Sequence, residues 1–457
     1  MIVSRDWAGK RYAVLGLARS GAATVSALLA GGASVVAWDS DPAKREALAP
    51  LPFRGGAGGG ASPQAARLED TPHPNPSPEG EGLVVVPLDD LSGFDALVVS
   101  PGVPLNTHPL AAAARAAGVP VIGDIELFAQ ARKDLPPHKV VGITGTNGKS
   151  TTTALVHHIL KTAGVPTLMG GNIGLPILGQ DPLPEGGVYV LELSSYQIDL
   201  TQSLDCDVAV LLNITPDHLD RYDGFAGYAA SKARLFAMQS AGHVAVIGTG
   251  DEASANIAQG LAGRTDDLVA IAASAIDQSR WPALQGPHNA QNAQAAIAVA
   301  RALGIREDAI EAGLASYASL PHRMQQVATR NGVAFVNDSK ATNPESTAPA
   351  LAAFPRVHWI VGGKRKGDDL DACTAHLDHV VAAYTIGEAA PLFFGLLKDK
   401  VPVVEQSGTL EMAVAHAAAA AQPGDTVLLS PACASFDQFR DYEARGDAFR
   451  AAVEALA

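Results

Sequence analysis

The sequence is short of cysteine, of basic charge and of long hydrophobic runs. Its 457 residues include three cysteines, Cys206, Cys373 and Cys433. An odd number of widely spaced cysteines gives neither a disulfide framework nor a metal-site pattern. The 33 basic residues against 47 acidic ones leave a formal charge of −14. This charge argues against a general nucleic-acid or anionic-membrane surface, so any bound anion must be held by local geometry.

The most apolar stretch near the start of the chain, 22–37, is interrupted by glycines and is typical of a short helix followed by a strand. We therefore expect neither a signal peptide nor a membrane-spanning segment, and the few cysteines fit a reducing cytoplasm. The expected partners are small molecules, with neither nucleic acid nor membrane among them. The expected state is a monomer.

The chain alternates strand-like and helix-like patterns, which predicts an α/β fold with parallel sheets. At roughly 150 residues per domain, the length suggests two to four domains, and we expect three. Residues 11–41 are typical of a βαβ unit whose second strand ends at Asp39. Further strand candidates are 96–104 with its terminal loop, 139–143, 188–193, 207–214, 243–247, 333–337, 357–361 and 426–430.

Residues 54–82 interrupt this alternation. The segment holds seven glycines and five prolines and has almost no apolar periodicity. Such a composition cannot bury enough apolar surface to order itself. We predict a mobile surface insertion that carries no chemistry.

Polar clusters follow several of the strand candidates, where parallel α/β sheets bind their ligands. The segments are "TPDHLDRY", "DSKATNP", "KRKGDD" and "PACASFDQF". Glu192 ends the apolar strand "VYVLEL", in the place of the acidic residue that completes the Mg²⁺ site of phosphate-loop proteins. Taken alone, Glu192 could equally be a surface carboxylate.

The segment "VVGITGTNGKSTTTALV" resembles a phosphate-binding loop between a strand and a helix. It is a variant, because Ile143 stands where G-x-x-x-x-G-K-[ST] has its first glycine. Gly145 and Gly148 would still turn backbone N–H groups toward an anion. Lys149 would add a positive charge and Ser150 a Mg²⁺ ligand, at the positive end of the helix dipole. The alternative is a glycine-rich turn before a helix.

A predicted helix over 227–239 carries a lysine on its apolar face. Tyr228, Lys232, Leu235 and Phe236 fall at i, i+4, i+7 and i+8, so they share one stripe of the helix. Two interpretations stay open at this point. The lysine stem could pack on the core with its head in water, or the amine could itself be buried for a chemical reason.

The first glycine-rich turn, Gly16 to Gly21, departs from the dinucleotide fingerprint G-x-G-x-x-G because Ala18 replaces its middle glycine. Asp39 ends the next strand as a ribose-binding acid would. Read alone, the pattern could be a degraded NAD site.

Taken in order, several segments together resemble the Mur ligase family, especially its members that add D-glutamate to UDP-N-acetylmuramoyl-L-alanine. They are "GITGTNGKST", "GGNIG", "LELSSYQ", "NITPDHLDRY", "GPHNAQN", "PHR", "NDSKATNP" and "LLSPACASFDQF". The resemblance implies a UDP-binding Rossmann-like domain over 1–127, a P-loop ATPase domain over 128–320 and a Rossmann-like C-terminal domain over 321–457. It also implies an ATP-dependent amide ligase of peptidoglycan precursor synthesis. In its reaction ATP phosphorylates the substrate carboxylate, and the amine of D-glutamate attacks the resulting acyl phosphate.

The resemblance also assigns residues to each substrate. For ATP they are Gly145, Thr146, Asn147, Gly148, Lys149, Ser150, Thr151, Asn289, Asn292, Arg323 and Asp338. For the UDP substrate they are Arg19, Ser20, Asp39 and Ser40, with Asn172 near the transferred group. For D-glutamate they are Thr342, Lys366, Ser435, Phe436 and Tyr442. For catalysis they are Lys149, Glu192, His218, Lys232 and Lys340.

Two Mg²⁺ ions are implied as cofactors, held by Ser150, Glu192, His218 and a carbamylated Lys232. Carbamylation by CO₂ needs a neutral amine, which desolvation on an apolar helix face favours by lowering the lysine pKa. The product is a carboxylate-like ligand, which would explain the apolar position of Lys232. Singly, each of the other polar residues could be a cap or turn residue.

Three other functions fit parts of the sequence. A folylpolyglutamate synthase shares the ATPase core but lacks a UDP-binding first domain, and residues 1–127 argue against it. A non-catalytic P-loop switch would leave the polar strand ends without a role. An NAD oxidoreductase would need an intact first glycine turn and offers no role for Lys149.

Overall fold

The computed structural model describes the chain in six ranges and confirms the predicted α/β class, with three mainly parallel sheets. The described residues are 1–48, 82–219, 221–263, 267–271, 276–365 and 367–456. The predicted insertion 54–82, except for Gly82, and Lys366 lie outside them. Within these ranges, no helix is both long and apolar enough to cross a membrane.

The chain divides into two compact units, of which the first comprises Met1–Pro136, Gly174–Pro182 and Tyr196–Leu204. Its parallel sheet has the order β3-β2-β1-β4-β5. The strands are β1 (Arg11–Leu15), β2 (Ser34–Trp38), β3 (Leu83–Val85), β4 (Ala96–Val99) and β5 (Val121–Ile122). The helices are α1 (Arg19–Ala30), α2 (Pro42–Leu48), α3 (Pro109–Ala117) and α4 (Asp124–Ala131). Since β1 pairs with β2 across α1, the predicted βαβ unit is confirmed.

Close packing explains both glycines of the first turn. Gly16 has a φ of 91°, and a Cβ there would lie 2.9 Å from Cβ of Ser100. A Cβ on Gly21 would overlap the carbonyl oxygen of Gly16. The missing middle glycine at Ala18 is tolerated because that residue is extended, with φ −66° and ψ −173°, a conformation open to any L-residue.

The second unit comprises Pro137–Ile173, Leu183–Ser195 and Asp205–Ala457, and it contains two sheets. The sheet nearer the start of the chain is parallel and has the order β11-β10-β9-β6-β8-β7. Its strands are β6 (His138–Thr144), β7 (Thr167–Gly171), β8 (Gly187–Glu192), β9 (Val208–Leu211), β10 (Val244–Gly248) and β11 (Leu268–Ile271). The helices along this part of the chain are α5 (Lys149–Thr162), α6 (Ser195–Asp199), α7 (Gly224–Ala237), α8 (Glu252–Leu261), α9 (Pro287–Ala302) and α10 (Glu307–Ser316). All but the first residue of α6 belong to the first unit.

The third sheet has the order β12-β13-β17-β14-β15-β16, with β12 antiparallel to β13 and the other pairs parallel. Its strands are β12 (Gln325–Arg330), β13 (Val333–Asn337), β14 (Val357–Gly362), β15 (Val380–Ile386), β16 (Val404–Gly408) and β17 (Thr426–Leu429). Its helices are α11 (Pro344–Ala352), α12 (Ala390–Leu397), α13 (Leu410–Ala420) and α14 (Tyr442–Glu454).

In the central sheet, strand register places predicted polar residues together at the carboxyl ends of neighbouring strands. In the central sheet, Ile143 of β6 lies opposite Glu192 of β8. Both strands are almost entirely buried, which explains why they are continuously apolar instead of alternating. The phosphate-loop segment and Glu192 therefore leave the sheet side by side.

Candidate active site

In the loop between β6 and α5, two glycines have the positive φ angles that a phosphate-binding loop requires. Gly145 has a φ of 151° and Gly148 a φ of 86°, values that L side chains rarely adopt. A Cβ on Gly148 would overlap Oδ1 of Asn292 on α9. The Lys149 ammonium donates to the carbonyl oxygens of Gly145 and Thr146, each at 2.8 Å. The lysine is thus folded back over the loop where a phosphate would bind.

Asn213, which follows β9, holds this loop in place. Its Oδ1 accepts from N–H of Asn147 at 2.9 Å, and its Nδ2 donates to the carbonyl of Asn147 at 3.2 Å. Its own carbonyl accepts from N–H of Thr146 at 2.9 Å. Asn213 is not among the residues predicted from the sequence, although an asparagine after an apolar strand is a usable signal.

One cavity in the second unit brings together most residues assigned to ATP. It is lined by Asn147, Gly148, Thr151, Asn289, Asn292, Arg323, Asp338 and Lys340. Its apolar lining, which the sequence did not indicate, includes Tyr317, Leu320, Pro349 and Ala353. Asn289 and Asn292 are joined by a hydrogen bond of 3.1 Å between their side chains. The cavity therefore offers amide groups, a flat apolar wall and cations around the phosphate loop.

The basic side chains Lys149 and Arg323 lie close enough to carboxylates for their charges to interact. Burial lowers the pKa of Lys149, while the charges of Glu192 and Asp217 act to raise it and that of Arg323 to lower it. Burial also raises the pKa of Asp338 to about 7. Asp338 accepts from the Ser430 hydroxyl at 2.8 Å and the N–H of Met324 at 3.1 Å.

Glu192 has the features of a cation ligand. Its side chain is buried, and its Oε1 accepts from Nδ2 of Asn172 at 2.9 Å. Its Oε2 is buried and has no hydrogen-bond partner within the described ranges. A buried carboxylate oxygen left in this way is costly unless a cation meets it. The donor chemistry therefore fits Mg²⁺ at this position, with Ser150 of the phosphate loop as the other ligand that the resemblance assigns.

The position of Lys232 decides between the two interpretations of its helix. The residue is 1% exposed, so its head is not in water, whereas Arg234 on the same helix is exposed. Nζ of Lys232 donates to the carbonyl of Gly145 at 3.0 Å and lies 4.6 Å from the centre of the Tyr228 ring. The burial excludes the interpretation in which the head of Lys232 lies in water, and the amine contacts the backbone of the phosphate loop.

His218 also lies near Tyr228, with their ring centres 6.4 Å apart. It has a φ of 53°, and its Nε2 is 3.5 Å from Oδ2 of Asp217. Its side chain is about half exposed. Tyr228 therefore connects the two side chains that the resemblance assigns to a second metal.

The residues assigned to D-glutamate follow strands of the third sheet or begin its last helix. Nζ of Lys340 lies 4.0 Å from the centre of the Tyr442 ring. Ser435 is buried, whereas the Phe436 side chain is 67% exposed. Thr342 is half-buried. Lys366 itself is outside the described residues.

The two basic neighbours of Lys366 have other contacts. Arg365 pairs with Asp368 at 2.9 Å and approaches Glu388 at 3.6 Å. The backbone of Lys364 pairs with that of Ala434 in a short antiparallel bridge.

The residues assigned to the UDP substrate lie in the first unit, except Asn172. Arg19 and Ser20 begin α1, and the exposed Ser40 follows β2. Both carboxylate oxygens of Asp39 are used by the backbone: they accept from N–H of Leu17 at 2.7 Å and of Asp41 at 2.9 Å. Burial acts to raise the pKa of Asp39, but these bonds and Lys44 outweigh it and lower the pKa. Asp39 thus shapes the first glycine turn as a buried anion.

Comparisons with known proteins cover the whole chain. Residues 143–281 match the Mur ligase middle domain, and residues 322–433 match the Mur ligase, glutamate ligase domain. The UDP-N-acetylmuramoylalanine--D-glutamate ligase of Novosphingobium aromaticivorans is 63% identical over 100% of this chain and 97% of its own length. The enzyme of the same name from Zymomonas mobilis is 57% identical, with both chains fully covered.

A solved structure supports the fold. UDP-N-acetylmuramate-alanine ligase MurC from Thermotoga maritima is similar over 98% of this chain and 99% of its own, with a TM-score of 0.55 at 15% identity. At that identity the likeness concerns the fold alone.

Proposed function

The chain belongs to the Mur ligase family, and we propose that it is the ATP-dependent ligase that adds D-glutamate to UDP-N-acetylmuramoyl-L-alanine in peptidoglycan synthesis. Full-length relatives with this name, at 63% and 57% identity, support the substrates. The observation that carries the chemistry is the convergence of the phosphate loop, Arg323, Asp338 and Lys340 on one cavity. A nucleotide bound there would have its phosphates beside Lys149.

The domain boundaries and substrate residues are part of this proposal. Residues 1–127 bind the UDP substrate, 128–320 bind ATP, and 321–457 bind D-glutamate and complete the ATP site. Support comes from the three sheets, each of which lies within one of these ranges. The residues for each substrate are those that the family resemblance assigns.

The reaction brings two anions together, and the chain supplies cations where they meet. The substrate carboxylate must approach the γ-phosphate of ATP, so Lys149, Arg323 and Lys340 act by neutralising charge in the transition state. Phosphoryl transfer from ATP leaves ADP and an acyl phosphate. The free amine of D-glutamate attacks the acyl carbon, the amide bond forms, and phosphate leaves with loss of a proton from the amine. No protein nucleophile is needed, because the carboxylate itself attacks phosphorus.

Glu192 and Ser150 would hold Mg²⁺ in this site. Magnesium supplies positive charge to the phosphate oxygens of ATP. Asn172 fixes the Glu192 carboxylate by the hydrogen bond to Oε1, which leaves Oε2 available. The orientation of this carboxylate is thus set by the protein.

Lys232 and His218 would serve a second Mg²⁺, with Lys232 carbamylated by CO₂. The burial of the amine supports this proposal, since desolvation favours the neutral form that reacts with CO₂. The modified side chain would be an anion next to the phosphate loop, and both it and His218 lie near Tyr228.

We also propose a cytoplasmic location and a monomeric state. The three cysteines are buried thiols, which fits a reducing compartment. Size-exclusion chromatography with light scattering tests the monomer directly.

The function is tested by measuring ADP release with each substrate left out in turn. We expect release to require both UDP-N-acetylmuramoyl-L-alanine and D-glutamate, and mass spectrometry of the product to show one added glutamyl residue. L-glutamate and neutral D-amino acids should be poor substrates. Equal use of L- and D-glutamate would contradict the proposal.

A further inference from the structure

The guanidinium of Arg445, in the first turns of α14, is buried and contacts two loops of the third sheet. The residue is 1% exposed. Its Nε donates to the Ser339 hydroxyl at 3.0 Å, and Nη2 donates to the Ser339 carbonyl at 2.9 Å. Nη2 also donates to the carbonyl of Cys433 at 3.0 Å, and Nη1 to that of Ala434 at 3.2 Å. Each of these acceptors is uncharged.

A third loop packs against the same group. A Cβ placed on Gly363 would lie 3.0 Å from Nη1 of Arg445. The next residue, Lys364, exchanges two backbone hydrogen bonds with Ala434, at 2.9 and 3.0 Å. The loops that follow β13, β14 and β17 therefore meet around one guanidinium.

Burying a guanidinium among neutral oxygens is an expensive way to gain stability. Burial lowers the pKa of Arg445 to about 10, and an apolar residue of similar size often stabilises such a site equally well. The planar fork of arginine does something that an apolar side chain cannot, because it fixes several acceptors at set distances from one another.

These loops carry the residues proposed above for ATP and D-glutamate. Ser339 lies between Asp338 and Lys340, and Ala434 directly precedes Ser435. We propose that Arg445 is a positioning residue that sets the distance between Lys340 and Ser435, and thereby the affinity for the incoming amino acid. The inference rests on the proposed function insofar as that amino acid is D-glutamate.

The other end of α14 provides a matched control. Arg330 donates through Nη2 to the carbonyl of Glu454 at 3.1 Å and through Nη1 to that of Leu456. It therefore also ties backbone carbonyls near this helix to the sheet, but at the end away from the proposed site. Arg330→Lys tests what the loss of an arginine anchor does to stability alone.

The test is steady-state kinetics of Arg445→Lys, which keeps the charge but replaces the rigid planar fork by a single nitrogen on a flexible stem. We expect the KM for D-glutamate to rise about 10-fold, with the KM for the UDP substrate within about two-fold, because a displacement near 1 Å is enough for such losses. In Arg330→Lys the melting temperature should fall while all KM values stay the same. Unchanged KM values in Arg445→Lys, or equal rises in all three, would overturn the proposal.

If Arg445→Lys does not fold, Ser339→Ala removes the hydroxyl that accepts from Nε of Arg445 and donates to the carbonyl of Tyr442 at 2.8 Å. We expect the KM for D-glutamate to rise about three-fold in this variant, and no rise overturns the proposal. The proposed function is judged separately on the wild-type enzyme. If the wild type uses another amino acid, the proposed D-glutamate ligase function is wrong. The positioning role of Arg445 is then tested by the KM for that other amino acid.

Discussion

The Oδ1 of Asn292 accepts a hydrogen bond from the Thr152 hydroxyl at 3.2 Å, and it occupies the space that a side chain at position 148 would need. Helix α9 thus packs directly against the start of α5. A glycine is required at position 148 because a side chain there would overlap Asn292 and because its φ is 86°.

Gly148→Ala should therefore lower both stability and nucleotide binding. The strained backbone and the overlap with Asn292 should cost about 1–3 kcal/mol in the free energy of unfolding, and ATP binding should weaken at least 10-fold by calorimetry. Gly260→Ala is the control, since its Cβ would meet nothing within 4 Å and its backbone is helical. Normal ATP binding by Gly148→Ala would argue against the loop as the phosphate site.

Glu192→Gln should leave a folded protein that has lost most of its turnover. The amide keeps an oxygen for the bond with Asn172 but replaces the unpartnered Oε2 by a neutral group that binds Mg²⁺ poorly. We expect kcat to fall at least about 100-fold and the Mg²⁺ concentration for half-maximal activity to rise. Wild-type magnesium dependence in this variant would exclude Glu192 as a ligand.

Asp338 should make the protein less stable as pH rises toward neutrality. Its pKa is raised from 3.8 to about 7 in the folded state, so between these values the folded protein binds more protons than the unfolded chain. The stability that protonated Asp338 contributes is full below pH 3.8 and is lost as pH rises through about 7. Asp338→Asn should flatten this slope in urea unfolding measured across that range. An unchanged slope would show that Asp338 ionises normally.

Carbamylation of Lys232 predicts a dependence on dissolved CO₂. Activity should fall reversibly when bicarbonate is removed at low pH. ¹³C NMR with labelled bicarbonate should show a carbamate signal that is missing in Lys232→Ala. That variant should lose most turnover but keep ATP binding within a few-fold, whereas Arg234→Ala, on the exposed side of the same helix, should behave as wild type. An active enzyme without the carbamate signal would contradict the proposed carbamylation of Lys232.

Lys366→Ala should affect D-glutamate far more than ATP or the UDP substrate. An unpaired glutamate carboxylate in a closed site is costly, so we expect a loss of about 2–5 kcal/mol in kcat/KM for D-glutamate. Arg365→Ala is the matched control, because Arg365 already pairs with Asp368 and Glu388. Equal losses for all three substrates would make Lys366 a structural residue. A larger effect of Arg365→Ala would move the assignment to that residue.

Local sequence patterns were sufficient for the elements that build the phosphate site. The apolar run before Gly145, the position of Glu192 at a strand end and the helical spacing around Lys232 each follow from a short segment. The almost entirely buried strands β6 and β8 are predictable for the same reason, since each contains a continuous apolar run. Strands β7, β11, β12, β15 and β16 are not among the strand candidates. Strands β12 and β16 are only half-buried and lack a continuous apolar run, whereas β15 is buried and apolar and a short run of that kind does not distinguish a strand from a buried helix.

Contacts between distant parts of the chain could not be predicted. Arg445 lies in "YEARGDAFR", a polar segment typical of an exposed helix, yet it is among the most buried side chains of the described residues. Its partners Ser339 and Cys433 follow two different strands, and only the sheet order brings them together. The same holds for Asn213, whose role depends on β9 lying next to β6.

The position of β17 has a consequence for biosynthesis. This strand, Thr426–Leu429, lies between β13 and β14 and pairs with both, although it is made after nearly all of the other strands have left the ribosome. Until then β13 and β14 each present an unpaired edge, the kind of surface on which nascent chains aggregate. A chain that ends before residue 426 therefore lacks the strand that joins β13 to β14 in the third sheet. We expect such fragments to depend on chaperones or to be degraded.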